Sequence, residues 1–195
     1  YLKLIEKSNM AYQFGGPRSF DFEEINDGEY NDWIGAQIRI DMYGWVLPGK
    51  PKLAAELDRR DASLSHRDCA VEASAYIAGL CALIPDSNSR EEAVNGALGL
   101  IDKDSEAYEA VLLGINNAGK PASNLHEHYG DMSPVHSLNN LSVVVWAFLS
   151  FQDSFDEAIG ETICCGWDTD CTGATVGGLI GLDQGSIPEL WTEPW

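Results

Sequence analysis

The chain has 195 residues, 45% apolar and 22% charged, which suits one globular domain with a sizeable core. Lys and Arg number 12 against 31 Asp and Glu, a formal charge of −19 that would repel a phosphate backbone and argues against a nucleic-acid partner. No apolar run approaches the roughly 20 residues that span a bilayer, and Tyr1-Leu2-Lys3-Leu4 does not open a signal peptide, so no membrane partner is expected.

The chain starts without Met, so the numbering is expected to begin inside a longer protein. Cys69, Cys81, Cys164, Cys165 and Cys171 are odd in number and two are adjacent, which argues against a disulfide framework. The expected setting is a reducing cytoplasm. The four histidines are too widely spread for a zinc cluster.

Residues 1–32 mix aromatics, Gly, Pro and acids and read as mostly loop. Ile34, Ile38 and Met42 recur every four residues, which predicts a helix from Trp33 to Val46, broken by Pro48-Gly49-Lys50-Pro51. Pro51 suits a first helical turn, with Leu53, Ala54 and Leu57 on one face. A second helix should run from Asp68 to Leu83, its small residues permitting close packing. Ser89 and Glu92 have capping-box spacing for the helix carrying Ala93, Ala97 and Leu98.

Asp104 to Asn117 is a further helix. The polar stretch Ala118 to Pro134 reads as a long loop with His126 and His128 solvated, and its length favours a functional role. Leu138 to Phe151 is apolar enough for a buried helix, and Phe155 to Cys165 follows as another. With no convincing strands, the expected class is all-α, a multi-helix orthogonal or antiparallel bundle whose central helices are buried all round.

Asp168 and Asp170 flank Thr169 at the start of an apolar helix. The positive end of a helix lowers the cost of holding carboxylates there, and a hard divalent cation would offset their repulsion. The bland alternative is that one Asp caps the helix. Gly173, Gly177 and Gly181 repeat every four residues, each costing roughly 1 kcal/mol against Ala in a helix, so close approach by another backbone, a ligand or a packed helix is expected.

Gly166-Trp167-Asp168-Thr169-Asp170-Cys171 with Gly173-Ala174-Thr175 resembles the C-terminal metal motif of the ADP-ribosylglycohydrolase family. Ile34-Gly35-Ala36-Gln37-Ile38-Arg39 resembles the family's Gly-Ala-x-x-Arg helix start. Asp61-Ala62-Ser63-Leu64-Ser65-His66 is similar to the next family segment, and Asn139-Asn140 resembles the pattern ahead of a buried helix.

The resemblance implies an all-helical, cytoplasmic hydrolase with two magnesium ions. It would cleave the bond from the anomeric carbon of ADP-ribose to a protein side chain or small acceptor. Asp168 and Asp170 match metal ligands; Gly35, Ala36, Gln37 and His66 match positions against the ligand; no catalytic residue is assigned. Cys171 stands where a Thr ligand is usual. Arg39 is expected to hold the fold through a salt bridge.

No Thr-Asp-Asp or Asp-Asp-Thr triplet occurs, although the family carries such a cluster near its N-terminus; Asp27 and Glu29 lack that pattern. The expectation is therefore one helical domain over residues 1–195 that forms an incomplete, C-terminal portion of a longer protein lacking the N-terminal region. The rival readings are a non-catalytic ADP-ribose or nucleotide-binding module and a purely structural helical domain.

Overall fold

The computed structural model describes Gly28 and residues 30–193. The expected loop over residues 1–32 falls mostly outside them, as do Asp27 and Glu29. Ten α-helices lie among the described residues: α1 Asp41–Trp45, α2 Pro51–Ala62, α3 Asp68–Leu83, α4 Arg90–Leu98, α5 Glu106–Asn117, α6 Ser123–Tyr129, α7 Ser137–Ser150, α8 Phe155–Cys164, α9 Thr169–Gln184 and α10 Glu189–Thr192. No strand occurs among these residues; Trp33 and His136 form an isolated antiparallel bridge. The all-α bundle is as the sequence implies.

Two helices make the centre. In α7 every residue except Ser150 is buried, and α3 is buried from Ala73 to Ala82. Helix α3 packs against α1, α2, α4 and α7, while α7 packs against α5, α8 and α9. The stretch Asp68–Asp86 has a mean hydropathy of 1.3 and passes for a membrane span by length and composition, contrary to the expectation from the apolar runs. Its window is 67% buried inside the fold, the environment of a core helix.

The small side chains of α3 allow the close packing that the sequence suggests. Gly44 of α1 lies so near that a Cβ there would sit 2.7 Å from the Ala78 carbonyl oxygen and 2.9 Å from the Ala82 nitrogen. Helix α2 presents Ala54, Ala55, Asp58 and Ala62 to the interior, while Leu53 is exposed; small residues fit this close seam where Leu would not. Pro51 stands in the first turn of α2, and the Ser89 hydroxyl accepts from the Glu92 N–H at 3.1 Å.

Two predicted segments also differ from the structure. The helix from Trp33 to Val46 is broken into turns, a 3₁₀ turn over Gln37–Arg39 and the five-residue α1. Its backbone bonds elsewhere: the Ile34 N–H donates to the Val135 carbonyl at 2.8 Å. Ile34 is buried, whereas Ile38 and Met42 are exposed. The expected loop from Ala118 to Pro134 contains α6, anchored by buried Leu125 and Tyr129.

Candidate functional site

The turn Cys165-Gly166-Trp167-Asp168 joins α8 to α9. Gly166 and Trp167 take left-handed backbone conformations, with φ of 85° and 58°. For Trp167 that conformation costs about 1–3 kcal/mol, so the surroundings must hold it. They do so from two sides. The Asp168 N–H donates to Asn140 Oδ1 at 3.2 Å, and His126 of α6 stacks on Trp167 with ring centroids 4.0 Å apart.

Asp168 is the N-cap residue of α9, and Asp170 lies in its first turn. Their carboxylates and Cys171 Sγ lie within 4.8 Å of one another, and this is the one such group of metal-binding side chains among the described residues. The helix N-terminus favours negative charge here. Burial, a hydrogen bond with Asp168 and the charges of Asp168 and Asp170 push the Cys171 thiol up to about 12. It is therefore a neutral thiol at pH 7. The carboxylates fit a hard divalent ion, but such a thiol does not add a good ligand.

The glycine face of α9 receives side chains, not a second backbone. Gly173 faces Ile163, Gly177 faces Ile159 and Phe155, and Gly181 faces Ile187. An apolar cavity of about 530 Å³ opens along this face and is bounded by Asp170, Ile159, Ile163, Ile187 and Trp191.

Gly35 and His66 are brought together. A Cβ on Gly35 would lie 3.1 Å from His66 Nε2. Ser65 Oγ bridges His66 Nδ1 at 2.8 Å and Arg39 Nη2 at 3.0 Å. Arg39 also pairs with Asp61 at 3.0 Å, the fold-holding salt bridge expected of it. Burial first, then the Arg39 charge, lower the His66 pKa to about 4, so its imidazole is neutral at pH 7. Beside it opens a cleft of about 720 Å³, walled in part by Asp68, Glu72, Asp102, Asp104 and Glu106.

Ala36 and Gln37 are both fully buried. Neither amide atom of Gln37 has a hydrogen-bond partner among the described residues. Both side chains are closed off from solvent, whereas Gly35 is partly exposed.

The two groups are linked through residues 31–34. The Arg67 N–H donates to the Asn31 carbonyl at 3.1 Å, Asp32 pairs with His136 Nε2 at 3.2 Å, and Ile34 bonds to Val135. Asn140 Nδ2 then donates to the His136 carbonyl at 2.7 Å while its Oδ1 receives Asp168. Neither the role of Asn140 nor that of His126 is evident from spacing. The sequence signal for Asn140 was the family-like Asn139-Asn140 pair beside an apolar run, and both residues prove fully buried. His126, expected to be solvated, is instead partly buried against Trp167.

The ADP-ribosylglycohydrolase profile matches residues 5–195. The chain belongs to the ADP-ribosylglycohydrolase family. The match corrects the expectation of a C-terminal portion without the family's N-terminal region, because the likeness runs over essentially the whole chain. No curated protein and no solved structure matches the chain. Of the two magnesium ions that the resemblance implies, one candidate cluster is found among the described residues of this family member.

Proposed function

We propose that this ADP-ribosylglycohydrolase family member is a divalent-cation-dependent hydrolase. It would release ADP-ribose from a protein side chain or a small acceptor by cleaving the bond at the anomeric carbon. The observation that carries the reading is the Asp168–Asp170 pair, gathered with Cys171 at the start of α9 in a chain that matches this family.

Asp168 and Asp170 would hold the cation, magnesium being the one their hard oxygens suit. When bound, it supplies Lewis-acid stabilisation for the sugar oxygens and offsets negative charge near an anionic nucleotide. The chain's own residues do the rest of the positioning. Asn140 fixes the backbone at Asp168, which sets where the first carboxylate stands. Gly35, lacking a Cβ, lets the neutral His66 pack against its backbone, and His66 would present an uncharged wall to the sugar in the adjoining cleft. Ala36 and Gln37, proposed from the resemblance as ligand-binding, would support the Gly35 backbone from behind. Cleavage proceeds with positive character growing at the anomeric carbon, which nearby carboxylates favour. A cytoplasmic setting belongs to the same proposal.

A second reading has one observation in its favour: the sequence holds no Asp-Asp-Thr or Thr-Asp-Asp triplet. Under it the site binds ADP-ribose without turnover. Incubation with an ADP-ribosylated protein and a small ADP-ribose conjugate, with magnesium and then with a chelator, separates the two. The hydrolase reading expects ADP-ribose release that the chelator and Asp168→Asn/Asp170→Asn both abolish. ADP-ribose binding without release in the wild type would favour the second reading. Release undiminished by the double substitution would contradict the assignment of these carboxylates.

A further inference from the structure

We propose that His126 is a positioning residue that clamps the turn presenting Asp168. The inference rests on the reading of Asp168 and Asp170 as cation ligands, and it adds a residue far away in sequence.

His126 meets the turn at Trp167 and at Cys165, whose thiol also lies 3.9 Å from Nε2. Its ring lies against Trp167, with centroids 4.0 Å apart and planes 26° from parallel. Its Nε2 lies 2.7 Å from the Cys165 carbonyl oxygen. A carbonyl can only accept, so Nε2 carries the proton and the bond is directional. The imidazole thus fixes the residue before Gly166 by a hydrogen bond and the residue after it by stacking.

The segment it grips is the one that needs holding. Gly166 and Trp167 are consecutive residues with positive φ, and relaxation of Trp167 towards an ordinary backbone would redirect the chain at Asp168. Asn140 secures the Asp168 N–H from α7. His126 secures Cys165 and Trp167 from α6, which is seated by buried Leu125 and Tyr129. The turn is therefore held from two helices, and only one of them is adjacent to Asp168 through its backbone bond. The contacts of His126 are to Cys165 and Trp167 and not to the carboxylates, so its effect reaches a cation through the turn. Groups that orient ligands in this way typically change metal affinity by 10–100-fold when removed.

Three variants divide the clamp into its parts. His126→Ala removes both contacts, His126→Phe keeps a ring without the hydrogen bond, and His126→Gln keeps an N–H without the ring. Each is compared with the wild type by magnesium titration, thermal melting and amide hydrogen exchange. His126→Ala should weaken magnesium binding by about tenfold or more and speed exchange at Trp167, Asp168 and Thr169, with protection in α3 and α7 retained. His126→Phe and His126→Gln should each restore part of the loss. Unchanged exchange at the turn would overturn the clamp, and so would a loss of protection spread evenly over the core. If the wild type binds no magnesium, the cation reading fails, while exchange at the turn still decides whether His126 holds it.

Discussion

Asp58→Asn should reverse part of the pH dependence of folding. Asp58 is fully buried between α2 and α3; its Oδ2 accepts from Ser74 Oγ at 2.8 Å, and its Oδ1 has no partner among the described residues. Burial, the largest cause, lifts its pKa from 3.8 to about 7; the Ser74 bond, Arg59 and Arg39 oppose the rise, and Asp61 adds to it. The native state therefore holds its proton more tightly than the unfolded chain. The associated stability is fully present below pH 3.8 and is lost as pH rises towards 7. At roughly 1.4 kcal/mol per pH unit, the loss between pH 4.5 and pH 8 is about 3 kcal/mol. Asn cannot ionise, so it escapes this loss. Its amide can leave a buried N–H without a partner, at a cost of about 1–3 kcal/mol that does not vary with pH. Urea unfolding of both proteins at the two pH values isolates the pH-dependent part. The stability of Asp58→Asn relative to wild type should rise by about 3 kcal/mol from the lower pH to the higher. Parallel pH profiles would refute a raised Asp58 pKa.

Two packing predictions follow from the same region. Gly44→Ala drives a methyl group into the backbone of α3 and should cost about 3 kcal/mol in urea unfolding; a cost under about 1 kcal/mol would show that α1 can move aside. Gln37→Leu removes an amide without a described partner at similar volume and should raise stability by about 1–2 kcal/mol by the same assay. A fall in stability would show that the amide is engaged.

Helices buried over long apolar stretches were legible in the sequence. Asp68–Leu83 matches its expected bounds, and Ser137–Ser150 is the all-round buried helix that its valines and Trp146 imply. Short pieces were not legible. Helix α6 has seven residues and buries only Leu125 and Tyr129, too little pattern to separate it from a polar loop. The four-residue spacing of Ile34, Ile38 and Met42 misled because long-range bonds to Val135 and Ser137 take the place of a continuous helix. On α2, of the expected face of Leu53, Ala54 and Leu57 only Ala54 is fully buried; close approach to α3 selects Ala55 and Asp58 beside it and leaves Leu53 exposed.

The site divides in the same way. Asp168 and Asp170 were readable as a pair because both carboxylates lie at the start of one helix. Gly35 and His66 are 31 positions apart, and only the family likeness suggested a common place for them. Asn140 and His126 act on the turn across 28 and 41 positions, through contacts that no local spacing encodes. The length of the Ala118–Pro134 segment was the one available hint for His126.

The most direct test of the central claim is calorimetric titration of the protein with magnesium, repeated on Asp168→Asn/Asp170→Asn at equal folding. The account predicts saturable binding in the wild type and its loss in the double variant. No binding in the wild type, or equal binding in both, would contradict it.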